Sequence, residues 1–356
     1  MISELIITII LASFGTYVFV PITMKLARKY DILDYPNEDR KKQKMPMPRL
    51  GGLAIIIGFV IAMAYIIITN LVCKEIVFES ENLKLFVGML LGAIVISITG
   101  FLDDKYDISA RQKFIGQIIA AVIVMAFGLR ITKISIPFTT NAWILPNWFS
   151  YFITLLWIVG ITNAINIIDG LDGLATGIVL IAAFSLAIVF YLSSSPLLSI
   201  FIAVAIGGGS LGFIPYNRFP AKTYLGDIGS NFLGFMLATV SLLGVGKTYV
   251  VIVMAPVLIL GIPIFDTLFA MIRRAVKKKR LSAMFEADGN HIHYRLIKKG
   301  YSVRQTARML QGITLAFALF AIIAIDGGLL KSLTYTILVC TLVYIGIDDI
   351  FPKNEW

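Results

Sequence analysis

The residues of this chain that could do chemistry fall into five short groups. Asp103 and Asp104 stand side by side in the segment Gly100–Asp107, directly after an apolar run. Two adjacent carboxylates repel, and at a helix C-terminus the macrodipole disfavours each by about 0.3–1 kcal/mol. As a solvated helix end the pair would lean on Lys105 and Lys113. As chemistry it suits a general base or a metal-binding pair beside a phosphate.

The second group is Asn163–Ala175. Asn163, Asn166 and Asp169 recur every third position and so share one helical face, while Gly170 and Gly173 permit a tight turn. Asp172 could serve as a cap for the next helix, and an intramembrane Asn could simply bond a neighbouring helix. Four such groups at one mouth point beyond packing. Oxygen donors without a Cys or His majority suit Mg²⁺ rather than zinc.

The third group is Pro215–Pro220 followed by Tyr224–Asn231, with Asn217, Tyr224 and Asp227 as its polar members. Asp227 and Ser230 have N-cap chemistry, and a helix start is equally a ready anion site. The fourth is His291, His293 and Arg295, within Asp288–Arg295. Two histidines do not make a zinc site; a loop pair is usually just solvated, and the adjacent Arg295 suggests instead a cationic cradle for phosphate or sugar. The fifth is Lys44–Gly52, where Pro46 and Pro48 break structure and Gly51-Gly52 allows close packing. Its Lys44 and Arg49 can be read as topology signals alone.

No Ser-His-Asp order, thiol nucleophile, Walker A loop or dinucleotide fingerprint is present. The inventory fits phosphoryl transfer, in which catalysis is mainly positioning and charge neutralisation.

The elements that must position these groups are membrane helices. Of the 356 residues 58% are hydrophobic and 15% charged, with mean hydropathy +0.88, against about 45–50% and about 25% in soluble chains. The apolar residues form blocks of the roughly 20 residues that a bilayer core requires. Eleven spans are expected, near 3–24, 50–72, 85–102, 113–129, 149–168, 174–193, 197–215, 228–246, 249–272, 306–325 and 331–347, with one re-entrant pair over 174–215 as an alternative. The expected fold class is an all-α polytopic membrane protein, a single integral membrane domain over 1–356, with the first span retained as a helix rather than cleaved as a signal peptide.

With the N-terminus outside and the C-terminus cytoplasmic, 25 of the 31 Lys and Arg residues lie on the cytoplasmic side and 6 on the other, so the inverted topology breaks the positive-inside bias about fourfold. The net charge of +10 is mostly this asymmetry and gives no reason to invoke nucleic acid. Most of the acidic residues share the cytoplasmic side, which the positive-inside rule does not require. Trp143 and Trp148 suit the aromatic belt of the opposite side. Gly207-Gly208-Gly209 lies mid-membrane, as helix packing would use it. The two cysteines, Cys73 and Cys340, lie at opposite ends of the bilayer and offer no disulfide framework.

The joint pattern Pro48–Gly52, Gly100–Asp107, Asn163–Ala175, Tyr224–Gly234 and His291–Arg295 resembles, in order and side, the polyprenyl-phosphate N-acetylhexosamine-1-phosphate transferases, over nearly the whole chain. That resemblance implies a bacterial plasma-membrane enzyme with its active site in cytoplasmic loops. It would pass GlcNAc-1-phosphate from UDP-GlcNAc to undecaprenyl phosphate, giving undecaprenyl-diphosphate-GlcNAc and UMP, at the first membrane step of a cell-envelope glycopolymer. It implies Mg²⁺, with Mn²⁺ as a substitute, and is compatible with a homodimer.

By the same resemblance Asp227 and Asn166 contact the metal. Asp103 and Asp104 orient or deprotonate the lipid phosphate, Asp169 is a further catalytic residue, and Lys113 binds phosphate. Tyr224 stacks on uracil, with Asn217 and Asp172 near the nucleoside. His291, His293, Arg295, Arg49 and Lys44 serve sugar and phosphate. Direct displacement is preferred to an aspartyl-phosphate intermediate. Many relatives carry a further His where this chain has Tyr294, and the phospho-N-acetylmuramoyl-pentapeptide translocases have three in a row; that departure favours a plain UDP-N-acetylhexosamine over the pentapeptide donor. A transporter and a catalytically dead scaffold are the readings from other classes. The transporter predicts ionisable residues at mid-bilayer, and every carboxylate cluster here falls at a span edge.

Overall fold

A computed structural model describes residues 1–36, 45–72, 78–135, 142–244, 255–280 and 291–324. The apolar runs form helices α1 (Ile2–Lys29), α2 (Gly51–Val72), α3 (Ser80–Tyr106), α4 (Ala110–Ala126), α5 (Asn147–Ile168), α6 (Leu174–Leu192), α7 (Leu197–Asn217) and α8 (Gly226–Leu243). They are followed by α9 (Gly261–Lys278) and α10 (Ile292–Lys298), then α11 (Val303–Ala324). Eight of these, α1–α3, α5–α8 and α11, are long and apolar enough to cross a membrane, and α4 is a 17-residue apolar helix beside them. The chain is therefore a multi-pass membrane protein. The all-α expectation needs one correction: two short antiparallel ribbons, Leu33–Asp34 with Met47–Pro48 and Lys133–Ser135 with Ala142–Ile144, tie loops together.

Helix α8 is the buried centre. It packs on α2, α3 and α5, and glycine brings each neighbour close. A Cβ on Gly100 of α3 would lie 2.6 Å from the Asp227 carbonyl oxygen, and one on Gly234 would lie 2.8 Å from Thr162 Cα of α5. Gly52 of α2 lies against the backbone of Gly229, the close approach expected of Gly51-Gly52. Gly207, Gly208 and Gly209 of α7 face Phe184, Ile9 and Ile55 respectively, so that run serves packing as expected. Helix α1 is built into the bundle against α2 and α7.

The segment 174–215 forms two full helices rather than a re-entrant pair. Their turn is fastened to the end of α8 by Ser195 Oγ donating to the Gly244 carbonyl at 2.7 Å. Of the expected span 249–272, residues 249–254 lie outside the described residues and 255–272 are helical on either side of Leu260. A helical turn over 255–259 breaks at Leu260, and α9 is not among the apolar spans. Its Asp266, Arg273 and Lys277 recur at helical spacing on one face, and exposed Phe265, Leu268, Phe269 and Ile272 form the stripe beside it, the pattern of an amphipathic helix. The expected span 331–347, Cys73, Cys340 and Lys44 lie outside the described residues.

Gly226 has φ +73°, and a Cβ there would sit 2.7 Å from Asp104 Oδ2 and closer still to the Arg49 carbonyl oxygen. Gly300 has φ +98° and open space around it. Gly300→Ala is expected to cost only the left-handed backbone penalty, about 1–2 kcal/mol. Gly226→Ala is expected to lower the melting temperature in detergent far more, because two backbones must also separate.

Candidate active site

The site is built where α3 ends and α8 begins. The first N–H groups of a helix have no partner within it. At α8 the partner is Asp104, whose Oδ1 accepts from Asp227 N and Oδ2 from Ile228 N, both at 2.9 Å. The capping reading of Asp227 is thereby corrected: the residue before the helix is Leu225, without a side-chain cap, and the cap comes from another helix. Asp227 instead stands in the first turn, where the macrodipole favours a carboxylate. The segment before α8 pairs with the start of α2: Gly51 N donates to Tyr224 O at 3.1 Å, Gly52 N to Leu225 O at 2.8 Å, and Tyr224 N to Pro48 O at 2.9 Å. This pairing brings Arg49 to the mouth, held by Asp34 at 3.0 Å.

Asp103 is 2% exposed and Asp104 6%, whereas Lys105 is exposed, so the pair is no solvated helix end. One oxygen of Asp103 is ion-paired with Lys113 Nζ; its Oδ1 is buried without a hydrogen-bond partner. Lys113 Nζ also lies 3.6 Å from Asp227 Oδ2. Asn166 donates from Nδ2 to Asp227 Oδ1 and, at 2.8 Å, to Ser230 Oγ. Helices α3, α4, α5 and α8 thus converge through Asp103, Lys113, Asn166 and Asp227.

Asp169 ends α5. Burial first, then the charges of Asp227, Asp104 and Asp172, push its carboxyl well above the usual range. Asp172 does not cap α6, whose first residue follows Gly173; it accepts from Ala221 N at 2.9 Å, and burial raises its pKa as well. Asn217 is buried, with its amide engaged by Thr176 at 2.7 Å and by the Thr223 carbonyl at 3.2 Å. Asp172 and Asn217 therefore hold the loop that presents Tyr224, which is half-buried. Burial, then Asp172 and Asp34, keeps the Tyr224 phenol above its ordinary range, so it is neutral.

The histidines belong to a structured element. Asp266 of α9, which the sequence reading assigned to a span, takes His291 Nδ1 at 2.9 Å and Ile292 N at 2.8 Å. His293 is fully buried, with neither ring nitrogen partnered. Its ring stacks on His291 at 6.0 Å and lies 4.2 Å from that of Tyr294. A Cβ on Gly170 would lie 2.6 Å from His293 Nε2 and 3.1 Å from the Tyr294 hydroxyl, so this face abuts the turn after Asp169. Arg295 is exposed. Gln311 of α11 also went unread in the sequence; it donates to the Gly173 carbonyl at 2.9 Å and steadies the same turn.

The sequence profile described as glycosyl transferase family 4 matches residues 86–245. A probable undecaprenyl-phosphate N-acetylglucosaminyl 1-phosphate transferase of Bacillus subtilis is 38% identical, over 90% of this chain and 85% of that protein. The chain belongs to glycosyl transferase family 4. A decaprenyl-phosphate N-acetylglucosaminephosphotransferase of Mycobacterium leprae is 32% identical, over 86% of this chain and 80% of that protein. A phospho-N-acetylmuramoyl-pentapeptide-transferase of Staphylococcus epidermidis is 32% identical, over 81% and 89%. The family match spans α3 to α8 and so contains Asp103, Lys113, Asn166 and Asp227.

The site's own chemistry fits the divalent cation that the family implies. Carboxylates crowd together with Lys113 and Arg49 as the nearby cations, and a buried Asp103 oxygen is unpartnered. Among the described residues no three His, Cys, Asp or Glu side chains converge on one metal-sized point. Mg²⁺ suits that sparse set, since it is usually held by one or two carboxylates with substrate phosphates and water completing the octahedron.

Burial, opposed by Asp266, lowers the His293 pKa to about 4. A folded value below the unfolded value of about 6.5 means stability that is present above pH 6.5 and lost as pH falls toward 4. The melting-temperature gap between wild type and His293→Gln is expected to narrow between pH 7 and pH 5. A gap independent of pH would contradict a buried neutral imidazole.

Proposed function

We propose that this chain transfers GlcNAc-1-phosphate from UDP-GlcNAc to undecaprenyl phosphate, releasing UMP, at the cytoplasmic face of a bacterial plasma membrane. The observation that carries the reading is Lys113 held between Asp103 and Asp227, with Asn166 on the same Asp227 carboxylate. Such a set holds two phosphate-bearing substrates together without a nucleophile of its own. The curated names of the relatives supply the substrate class, and the excess of Lys and Arg near this end of the bundle supports the side.

In this reaction an oxygen of the lipid phosphate attacks the β-phosphorus of the UDP-sugar. The bond from that phosphorus to the bridging oxygen breaks, and UMP leaves with the electron pair. A phosphate monoester has its second pKa near 6, so at neutral pH the acceptor is already largely a dianion and no strong base is needed. The barrier is the approach of that dianion to a charged pyrophosphate. Lys113 stands at that approach and neutralises charge as it develops. Bound Mg²⁺, held by Asp227 and the Asn166 amide, would neutralise the pyrophosphate.

Asp103 acts on the incoming phosphate through Lys113, which it holds in place, and Asp104 acts by fixing the first turn of α8. Asp169 lies on the same face as Asn166 and completes the wall. Tyr224 offers a neutral ring for uracil, in a loop that Asn217 and Asp172 hold in place. His291, oriented by Asp266, stands beside the sugar with buried His293 packed behind it, and Arg295 and Arg49 flank the phosphates. Tyr294 fills the place of the further His of many relatives, which favours a plain N-acetylhexosamine over the muramoyl-pentapeptide donor.

The test is UMP release from purified protein with undecaprenyl phosphate, Mg²⁺ and each donor. UDP-GlcNAc is expected to support release and UDP-MurNAc-pentapeptide to give only background. Lys113→Met and Asp227→Asn are expected to lower kcat roughly 10²–10³-fold, the usual loss when a preorganised charge is removed. Release that prefers the pentapeptide donor, or that survives both substitutions, would overturn the assignment.

A further inference from the structure

One helical turn deeper than the catalytic groups, the same three helices carry a second polar constellation. Gln117 lies four residues after Lys113 on α4, Asn163 three before Asn166 on α5, and Asn231 four after Asp227 on α8. Residues three or four apart share a helix face, so each amide stands directly beneath its catalytic neighbour. Gln117 Nε2 donates to Asn163 Oδ1 at 3.3 Å and to Asn231 Oδ1 at 3.2 Å. Asn163 Nδ2 returns a bond to Gln117 Oε1 at 2.5 Å and another to the Val159 carbonyl at 2.9 Å. Asn231 Nδ2 donates to the Asp227 carbonyl at 2.8 Å. Gln117 and Asn231 are each 4% exposed.

We propose that Gln117, Asn163 and Asn231 form a neutral positioning triad that sets the register of α4, α5 and α8, so that Lys113, Asn166 and Asp227 meet in reactive geometry. The inference rests on the phosphotransferase reading above. Three observations carry it. Helix α4 packs on α3 and α5, and α8 packs on the same two; Gln117 to Asn231 is a direct tie between α4 and α8. The network ends on the backbone of Asp227 itself. All three groups are amides, which donate and accept together and carry no charge. Carboxylates or lysines in the same places would alter the balance of Asp103, Lys113 and Asp227 one turn above; amides fix distance without altering charge.

Interhelical hydrogen bonds in membranes are individually modest, whereas a displacement of about 1 Å at reacting groups can cost about 100-fold in rate. The triad is therefore expected to matter more to turnover than to folding. The matched control is Trp157, on the same α5–α8 contact, which donates to the Ala238 carbonyl at 3.2 Å and to Ser241 Oγ at 3.1 Å. It is remote from the carboxylates.

The experiment compares wild type, Gln117→Leu, the volume-matched Gln117→Met and Trp157→Phe, each for melting temperature in detergent and for UMP release with UDP-GlcNAc, Mg²⁺ and undecaprenyl phosphate. Both Gln117 variants are expected to lower kcat about 10- to 100-fold while KM for UDP-GlcNAc moves less than about threefold, a loss confined to the transition state. Trp157→Phe is expected to leave kcat near wild type at a similar loss of melting temperature. Wild-type kcat in the Gln117 variants overturns the triad, as does an equal kcat loss in Trp157→Phe or a failure of both Gln117 variants to fold. A silent wild type overturns the proposed reaction instead, and the positioning claim with it.

Discussion

The site depends on one carboxylate meeting one helix end. The first turn of α8 is buried among α2, α3 and α5, where water cannot satisfy its leading N–H groups, and Asp104 of α3 takes two of them. A buried donor left without a partner costs about 1–3 kcal/mol, and this contact spares the helix two. It sets constraints on both sides. Gly100 must be glycine for α3 to come this close, and Gly226 must be glycine because a left-handed residue has to pass the Arg49 carbonyl and the Asp104 carboxylate. Once α8 is fixed, Asp227 projects toward Lys113 and Asn166.

The second consequence is electrostatic. Asp103, Asp104, Asp169, Asp172 and Asp227 gather around one mouth, and the fold offers Lys113 and Arg49 against them. Nothing in stability rewards such crowding. Carboxyls gathered in this way are useful where a cation arrives with phosphates, because the cation favours their ionised form. Burial concentrates the effect, because charge interactions strengthen as water is excluded.

Much of this was legible in the sequence. The ends of apolar runs marked where Asp103, Asn166 and Asp227 would lie, and spacing of three put Asn163 and Asn166 on one face. Gly51-Gly52 and Gly207–Gly209 read correctly as close contacts. The role of Asp104 was not legible, because its partners are backbone N–H groups 123 and 124 residues away, and no local pattern announces a cap supplied by another helix. Asp266 was hidden inside an apolar stretch read as a span. The signal was present in the spacing of Asp266, Arg273 and Lys277, which lines one face of an amphipathic helix and sets α9 apart from the uniformly apolar spans. Gln311 gave no signal, since a lone Gln in an apolar helix resembles many others until its partner, the Gly173 carbonyl, is known.

The two adjacent carboxylates provide the most direct test, because this account gives neighbouring residues of identical type opposite duties. The measurement is the melting temperature and kcat for UMP release of Asp103→Asn and Asp104→Asn side by side. Asp104→Asn should lose thermal stability together with activity, since an amide NH₂ then faces the α8 backbone donors. Asp103→Asn should lose activity with little change in melting temperature. Equal thermal losses in the two variants, or a larger one in Asp103→Asn, would contradict the claim that Asp104 holds the site and Asp103 works in it.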